Sequence, residues 1–284
     1  MKKGLVLGFF DGVHKAHKAV ISSALNQSKD VTLITFKTSP ALYFGVNVEY
    51  LLSRKNSLEK IKKLGVKEIV ELDFASIAAM PASEYLEYLI KTYNPISIST
   101  GFNHTFGANK QGTPKFLKEN QEKYNYKYIC TPPIEENGEI ISSTLIRNYL
   151  KSGEIEKANS LLESNFILEG EVIHGAKIGR TIGFPTANIN YPTELVKIPF
   201  GVYKTFANID SKKKNAIMNW GMKPTVNNTI EPVVEVHILN YDENLYGKNI
   251  KIEVIKQIRA EKKFNNLDEL KAQISEDIKS CSES

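Results

Sequence analysis

In residues 1–150, short apolar runs alternate with stretches whose apolar residues recur at helical spacing. One such stretch places Leu58, Ile61 and Leu64 three residues apart, which favours an amphipathic helix. We predict strands at 5–7, 31–36, 69–72, 96–99 and 126–130, and helices at 18–26, 58–64, 83–92 and 116–124. Because alternating strands and helices are typical of βαβ units, this half is expected to form a doubly wound, Rossmann-like α/β domain around a parallel sheet.

After Gly153 and an amphipathic segment at 155–162, the chain changes to β-rich runs separated by loops that contain Gly and Pro. The predicted strands lie at 166–173, 202–209, 216–220, 233–239 and 250–258. Since no helical stretch lies between these runs, an antiparallel β-barrel or sandwich is predicted. The change of pattern indicates two domains, 1–160 and 161–284.

A helix is expected to close the chain. Asn266 can cap its amino end, and Glu269 occupies the capping-box position three residues later. Its apolar stripe consists of Leu267, Leu270, Ile274 and Ile278. Such a stripe is more typical of core packing than of a partner surface, so core packing is predicted.

Charge and cysteine content narrow the classes of function. The 284 residues carry 37 Lys and Arg against 32 Asp and Glu, a net charge of +5. This mild excess suits phosphorylated small molecules but falls short of a dedicated nucleic-acid binder, and the lysine cluster at 212–214 is typical of a solvated turn. Cys130 and Cys281 form no CxxC pair, which predicts a reducing, cytoplasmic setting. No apolar run approaches the roughly 18 residues that span a bilayer, so no membrane partner is expected.

The first chemical signal follows the first predicted strand. The run GFFDGVHKAH at 8–17 ends with His14 and His17, three residues apart at a helix start. An isolated pair of this kind is more often simply exposed. Here the location favours a nucleotide site, because helix starts offer free N–H groups to a phosphate and ligands collect beyond the carboxyl ends of the strands. Both rings could then donate hydrogen bonds to a phosphate. The expected phosphate-binding residues of this run are Gly8, Phe10, Asp11 and Gly12.

A second signal lies at 141–147, where ISSTLIR places three hydroxyls, on Ser142, Ser143 and Thr144, at a predicted helix start. Ordinary capping would explain one hydroxyl. It would not explain Arg147 one turn later, so we predict a second phosphate grip in which Arg147 neutralises phosphate oxygens. Between the two runs, the GFNHTFG segment at 101–107 can form a ligand loop that contains Asn103.

A third signal, GAKIGRTIGFPTAN, covers residues 175–188. Gly175, Gly179 and Gly183 are spaced four apart around Lys177 and Arg180, which predicts a mobile cationic loop suited to covering polyphosphate. The loop is not a Walker A motif because G-K-[ST] is absent.

The stretch that begins at Pro185 adds oxygen ligands. Thr186 and Asn188 alternate on one extended segment, so their side chains project to the same side and can bind a hard cation such as Mg²⁺. Glu235 lies among apolar neighbours in the predicted strand 233–239. A carboxylate there is either paired structurally or a general base, and the residues alone favour neither.

Together, GFFDGVHKAH and ISSTLIR resemble the adenylyltransferase module of bacterial bifunctional riboflavin kinase/FMN adenylyltransferases, which belong to the HxGH nucleotidyltransferase superfamily. Residues 175–188 resemble the riboflavin kinase signature G-x-x-x-G-R-x-x-G-F-P-T-A-N. Shorter matches are GVY at 201–203, NWGMKPT at 219–225, EVH at 235–237, LYG at 245–247 and IR at 258–259. The resemblance implies ATP-dependent phosphorylation of riboflavin to FMN, and adenylylation of FMN to FAD with release of pyrophosphate.

The resemblance also implies roles for individual residues. Glu235 would accept the proton of the riboflavin ribityl hydroxyl, with Mg²⁺ as cofactor and ATP as co-substrate. His14 and His17 would stabilise the α-phosphate of ATP, and the polar residues of 142–147 would hold the leaving pyrophosphate. Asn103 and Arg259 would contact the flavin. Candidates for stacking on the flavin ring are Tyr203, Trp220 and Phe264, although each is more often a core residue.

Three positions in the first half depart from the family pattern. Ala16 stands where H-x-G-H has glycine, Ser39 where Pro-His-Pro has histidine, and Asn103 where the G-x-D-x-x-F-G loop has aspartate. These departures motivate an alternative, a monofunctional riboflavin kinase with a weakened or regulatory first half. A flavin- or RNA-binding regulator without turnover is a third hypothesis, but it gives the PTAN run and Glu235 no role.

Overall fold

The computed structural model describes residues 3–175, 179, 182–210, 212–224 and 230–282. The chain divides into two units between Leu145 and Ile146. Each unit contains its own sheet.

The sheet of the first unit is parallel, because a connection that contains helix returns the chain to the same edge after each strand. Its strands are β1 (Gly4–Leu7), β2 (Val31–Phe36), β3 (Glu68–Leu72), β4 (Ser97–Gly101) and β5 (Lys127–Thr131), in the spatial order β3-β2-β1-β4-β5. The chain adds β2 and β3 on one side of β1 and then β4 and β5 on the other. In such sheets, ligands bind at the carboxyl ends of the strands where the order reverses, here β1 and β4.

Both faces of this sheet are buried, because alternate residues of β1 point to opposite sides. Leu5 and Leu7 belong to one buried cluster with Ile98, whereas Val6 belongs to another with Ile21. The helices are α1 (Lys15–Leu25), α2 (Pro40–Tyr43), α3 (Arg54–Lys63), α4 (Phe74–Ile77), α5 (Ala82–Tyr93) and α6 (Pro114–Glu119). Short 3-10 turns lie at Asp11–Val13 and Ala108–Lys110, and a two-stranded hairpin consists of β6 (Glu135–Glu136) and β7 (Glu139–Ile140).

The second unit contains a closed antiparallel barrel. Its strands are β8 (Phe166–Ile173), β9 (Ala187–Ile189), β10 (Gly201–Ile209), β11 (Lys212–Pro224), β12 (Ile230–Ile238) and β13 (Asn249–Ala260), in the order β10-β11-β12-β9-β8-β13. Helix α7 (Ser143–Lys151) crosses the division between the units, and α8 (Ile155–Leu162) precedes β8. Helix α9 (Leu267–Ser282) follows the barrel.

The two-residue period of the strands separates the inside of the barrel from its outer wall. Tyr203, Met218 and Val236 form one row across β10, β11 and β12 and are fully buried. The adjacent row, which begins with Val202, points to the opposite side. Val202 packs against Cys281 of α9, so α9 covers part of the outer wall.

The predicted fold class is confirmed in both halves, and the second half is a barrel rather than a sandwich. Three local predictions are wrong. The helix predicted at 116–124 ends at Glu119, and the chain then turns through Asn125 with a φ of 54°. The lysines at 212–214 belong to β11 rather than to a turn, since they pair with residues 207–209 of β10. The predicted strand 216–220 is therefore only the middle of β11, which pairs with both β10 and β12.

Helix α9 begins as predicted. The Glu269 N–H donates to Asn266 Oδ1 at 2.8 Å, and Asn266 Nδ2 donates to Glu269 Oε1 at 3.3 Å. Its apolar stripe divides into two parts. Ile278 packs against the cluster around Val202, but Leu267 is 55% exposed, so core packing is wrong for that residue.

Candidate active sites

A strained turn links β1 to α1. Phe10 has a φ of 61°, Gly12 of 77° and Val13 of 48°. Only glycine adopts this left-handed region without a steric cost, and a β-branched residue such as Val13 is a genuine outlier there. Residues in such conformations persist only where the surroundings fix them, and they cluster at functional sites.

Neighbouring groups hold the turn in place. The carboxylate of Asp11, 6% exposed, accepts a hydrogen bond from the Leu51 N–H at 2.9 Å. Lys60 Nζ donates to the Gly12 carbonyl at 3.1 Å. A Cβ on Gly8 would lie 2.8 Å from the Phe10 ring, so that ring needs glycine at position 8. Asp11 thus stabilises the loop itself, in addition to any role toward a ligand.

The two predicted histidines lie side by side at the start of α1. Their rings stack with centroids 3.7 Å apart, and His14 Nδ1 accepts from the His17 N–H at 3.4 Å, which caps the helix. His14 Nε2 lies 3.3 Å from Ser143 Oγ, whose hydroxyl lies 3.3 Å from the Asp11 carbonyl. Since a carbonyl can only accept, Ser143 donates to Asp11, and His14 carries its proton on Nε2 and donates to Ser143. The first two sequence motifs therefore meet, although 129 residues separate His14 from Ser143.

His17 is held in its neutral form. Burial, reinforced by the charges of His14 and Lys60, lowers its pKa well below the ordinary value of 6.5. Its Nδ1 is buried and has no hydrogen-bond partner among the described residues. A neutral imidazole can still donate one N–H to a developing negative charge. The pair can therefore stabilise a phosphate although His17 carries no positive charge.

The ISSTLIR run caps its helix, as predicted, and also contacts the histidine pair. Ser142 Oγ accepts from the Leu145 N–H at 3.2 Å, which is ordinary capping. Ser143 instead turns toward His14, as described above. Thr144 is exposed, and Arg147 is half-buried in the same helix, beyond the division between the units.

A mostly apolar cavity of 730 Å³ opens beside Gly8 at the carboxyl ends of β1 and β2. Small-molecule sites are typically apolar cavities of roughly 300–1,000 Å³. Its aromatic lining consists of Phe36, Phe44, Phe74, Tyr85 and Phe106. Phe44 is 67% exposed, which places it at the mouth. His104 also lines the cavity, and burial lowers the pKa of its imidazole to about 4.

The three departures from the family pattern have local structural explanations. Ala16 occupies the first turn of α1. Ser39 caps α2 by accepting from the Ala41 N–H at 3.3 Å, a bond that a serine hydroxyl makes readily. Asn103 is exposed, and its Oδ1 would lie 3.6 Å from a Cβ on Gly101, so its side chain folds back over the end of β4.

In the second unit, strand register brings the candidate groups into one row on the outer wall of the barrel. Glu235 of β12 lies opposite Asn188 of β9 on one side and Asn219 of β11 on the other. Thr186 stands two residues before Asn188 on the same side. His237 Nδ1 donates to the Pro185 carbonyl at 2.8 Å, which fixes the PTAN segment against β12.

The glycine-rich loop approaches this row closely. A Cβ on Gly175 would lie 2.5 Å from the side chain of Asn188, and one on Gly179 would lie 2.4 Å from the Phe184 carbonyl. The Phe184 N–H donates to the Gly179 carbonyl at 2.8 Å, which closes a tight turn. Glycine is therefore required at both positions by close approach. Lys177 and Arg180 lie outside the described residues.

Two cavities of the second unit meet at Thr186. A cavity of 310 Å³ contains Asn219 and Glu235 on the barrel side and Leu270 and Ile274 on the α9 side. A second cavity of 550 Å³ is lined by residues 185–187 and 241–246. Thr186 lines both. The two cavities are therefore adjacent at this residue.

Arg259 borders the smaller cavity and is anchored to α9. Its Nε and Nη2 donate to the carboxylate of Asp277 at 3.0 and 2.9 Å, and Asp277 is 3% exposed. The guanidinium also lies 5.7 Å from the Phe264 ring centroid. Tyr203 and Trp220 are buried, whereas Phe264 lines the cavity, so only Phe264 of the three aromatic candidates reaches it.

The donor set at Thr186 and Asn188 fits a hard cation better than a soft one. Hydroxyl and amide oxygens are ligands of Mg²⁺, which is usually completed by water and substrate phosphates rather than by a protein cage. Within the described ranges, no group of three or more His, Cys, Asp or Glu side chains is arranged to hold a metal ion. A cation here would therefore depend on the nucleotide for part of its coordination.

Comparison with known proteins matches each half to a family. Residues 2–145 match the family model described as FAD synthetase, and residues 162–284 match the model described as riboflavin kinase. A bifunctional riboflavin kinase/FMN adenylyltransferase of Bacillus subtilis is 34% identical, with 97% of this chain and 90% of that protein covered. This chain belongs to the bifunctional riboflavin kinase/FMN adenylyltransferase family.

A second curated relative carries the same family name, and a solved structure has the same fold. The Escherichia coli K12 member of the riboflavin kinase/FMN adenylyltransferase family is 32% identical over 96% of this chain and 90% of its own length. A crystal structure from Streptococcus pneumoniae, described as a macrolide-efflux protein, is 30% identical with a TM-score of 0.91, and covers 100% of this chain and 94% of its own. In the described part of the present family member, no helix has the length and apolar character to cross a membrane.

The structure also places residues at the candidate sites that the sequence motifs of this family member did not reveal. Lys60 contacts the strained turn from α3, and Asn219 borders Glu235 from β11. The aromatic lining of the 730 Å³ cavity comes from segments between residues 36 and 106. Asn219 lay within a matched run, but nothing in the sequence placed it beside Glu235. Lys60 and the aromatic residues belong to no local motif.

Proposed function

We propose that this chain carries out both reactions of its family, phosphorylation of riboflavin by ATP in the second half and adenylylation of FMN by ATP in the first. The observation that carries this proposal is that each unit brings its own set of candidate groups together, a stacked histidine pair in one and the Asn188–Glu235 row in the other. We assign these activities to domains 1–160 and 161–284.

For the kinase reaction, we place riboflavin in the 310 Å³ cavity between the barrel and α9, and ATP in the 550 Å³ cavity. Glu235 lines the cavity that we assign to riboflavin. It accepts the proton of the ribityl hydroxyl as that oxygen attacks the γ-phosphate. Arg259, held by Asp277, borders the flavin. The nucleotide-binding residues of this half are Gly175, Lys177, Gly179, Arg180 and Pro185.

Thr186 and Asn188 are the proposed Mg²⁺ ligands. When bound, the cation neutralises charge on the transferring phosphate. Gly175 and Gly179 let the loop backbone approach these two side chains, so the loop can close over the triphosphate of ATP.

For adenylyl transfer, we place the flavin ring of FMN in the 730 Å³ aromatic cavity, near Asn103. His14 and His17 stabilise the α-phosphate of ATP while an FMN phosphate oxygen attacks it and pyrophosphate leaves. Backbone groups of Gly8, Phe10, Asp11 and Gly12 approach the nucleotide, and the leaving pyrophosphate is held by Ser142, Ser143, Thr144 and Arg147.

The matched FAD synthetase model over residues 2–145 and the complete histidine pair favour catalysis in the first half over a purely regulatory role. The substrates are small molecules, riboflavin, FMN and ATP. The free thiols of Cys130 and Cys281 suit the reducing cytoplasm, where we place both reactions.

Product analysis tests the proposal. The purified chain is incubated with riboflavin, ATP and MgCl₂, and in a second reaction with FMN, ATP and MgCl₂, and the flavins are separated by chromatography. We expect FMN and FAD in the first reaction and FAD in the second. Absence of FMN would refute the kinase role, and FMN without FAD would leave only the kinase half active.

A further inference from the structure

The turn that precedes the histidine pair is unstable on its own. Phe10 and Val13 are non-glycine residues with positive φ, a conformation that is strained for residues with a side chain. The position of His14 depends on this turn, because His14 directly follows Val13. Whatever stabilises the turn therefore also sets the position of the imidazoles.

Two contacts from residues 51–60 hold the turn. The Leu51 N–H donates to Asp11 Oδ1, and Lys60 Nζ donates to the Gly12 carbonyl. The first is a backbone group and is present whatever residue stands at position 51. The second depends on the side chain of Lys60.

Lys60 is well placed for this task because α3 is fixed against the sheet. Its neighbour Ile61 is fully buried in the same cluster as Val13 and Phe10. Lys62 and Lys63, on the same helix, are exposed. Lys60 is half-buried, so its ammonium contacts the turn from a helix that cannot easily move.

The charge of Lys60 also reaches the histidine pair. Burial is the main cause of the low pKa of His17, and the charges of His14 and Lys60 lower it further. Lys60 therefore influences both the geometry of the turn and the protonation state of the imidazole behind it.

We propose that Lys60 is a positioning residue for adenylyl transfer, which fixes the Gly12 carbonyl and thereby the turn that presents His14 and His17 to the α-phosphate. This inference rests on the adenylyltransferase activity proposed above. Lys60 acts through the turn and is not assigned a contact with substrate.

The test compares Lys60→Met, which keeps the aliphatic stem, with Lys60→Arg, which keeps the cation. Lys63→Met is the matched control on the exposed face of α3. With FMN and ATP, we expect kcat for FAD formation to fall about 10-fold in Lys60→Met and to stay within about threefold of wild type in Lys60→Arg. FMN formation from riboflavin, which uses the second unit, should be unchanged in all three variants.

A second readout separates positioning from general destabilisation. In Lys60→Met the loss of a positive charge should raise the pKa of the His17 imidazole, followed by NMR titration, whereas Lys63→Met should leave it unchanged. Lys60→Met with wild-type FAD formation, an equal loss in Lys63→Met, or an unmoved His17 pKa would each overturn the inference. If the wild-type chain forms no FAD, the proposed activity fails, and the NMR comparison still decides whether Lys60 acts on the histidine pair.

Discussion

The two units assemble the groups that we propose for phosphate handling in different ways. In the first unit, the central groups come from ten consecutive residues, 8–17, folded into one strained turn and the first turn of a helix. In the second unit, Asn188, Asn219 and Glu235 come from three strands and meet only because of register across the barrel wall.

The difference has a physical consequence for each site. The first site depends on local backbone conformation and on burial, since His14 is 2% exposed. The second depends on long-range pairing and on a helix, α9, that packs against the outer wall. Substitutions near residues 8–17 should therefore affect FAD formation. Substitutions of Asn188, Asn219 or Glu235 in the barrel wall should affect FMN formation.

The largest expected effect tests the barrel site. Glu235→Gln should lower kcat for FMN formation about 1,000-fold, because general acid–base groups contribute roughly 100- to 10,000-fold. FAD formation from added FMN should be unchanged. Glu171→Gln, an exposed carboxylate on β8 of the same barrel, is the control and should behave as wild type. A loss of less than about fivefold in Glu235→Gln would contradict the role of general base.

The next largest expected effect tests the histidine site of the first unit. His14→Asn keeps an oxygen that can cap α1 but removes the imidazole, so FAD formation should fall about 100-fold while FMN formation continues. The two reactions are assayed on the same preparation, which controls for folding. Equal losses in both reactions would indicate that the two units do not act independently.

A third comparison uses pH. The folded-state pKa of His104 is about 4, below the ordinary 6.5, so the unfolded chain binds a proton that the folded chain does not. Its contribution to stability is present above pH 6.5 and is lost progressively as pH falls toward 4. The first unit should be about 2 kcal/mol less stable at pH 5 than at pH 7 from this group alone.

Hydrogen exchange of amides in β1 and β4, measured at both pH values, checks this expectation. The variant His104→Phe keeps a buried ring without a titrating nitrogen and should show a smaller dependence on pH. An identical pH dependence in wild type and variant would assign the effect to other groups.

The smallest expected effect concerns Ala16. Because this residue lies in the first turn of α1, Ala16→Gly should lower the free energy of unfolding by about 0.5–1 kcal/mol through lost helix propensity. FAD formation should stay within about twofold of wild type. Denaturant unfolding and the FAD assay measure the two quantities. A tenfold gain in FAD formation would instead show that the methyl group crowds the phosphate.

Much of the fold was predictable because its signals are local. Helix α8 and the cap of α9 agree with the spacing of apolar residues and with the Asn266–Glu269 pair. Helix α6 was predicted too long, since residues 120–124 contain no Gly or Pro to mark the turn that the chain makes there. The barrel could not be distinguished from a sandwich, because closure depends on which strands pair.

By itself, the sequence determined the two-domain pattern, the fold class of each half and the runs that carry the chemistry, since strand and helix periods and contiguous motifs are written in neighbouring residues. Only the tertiary structure decided which groups face one another. It turned Ser143 rather than Ser142 toward His14, placed Asn219 beside Glu235, gathered the aromatic cavity and brought Lys60 to Gly12. These contacts join residues far apart in the chain, and they depend on strand register and helix packing, which no local pattern encodes.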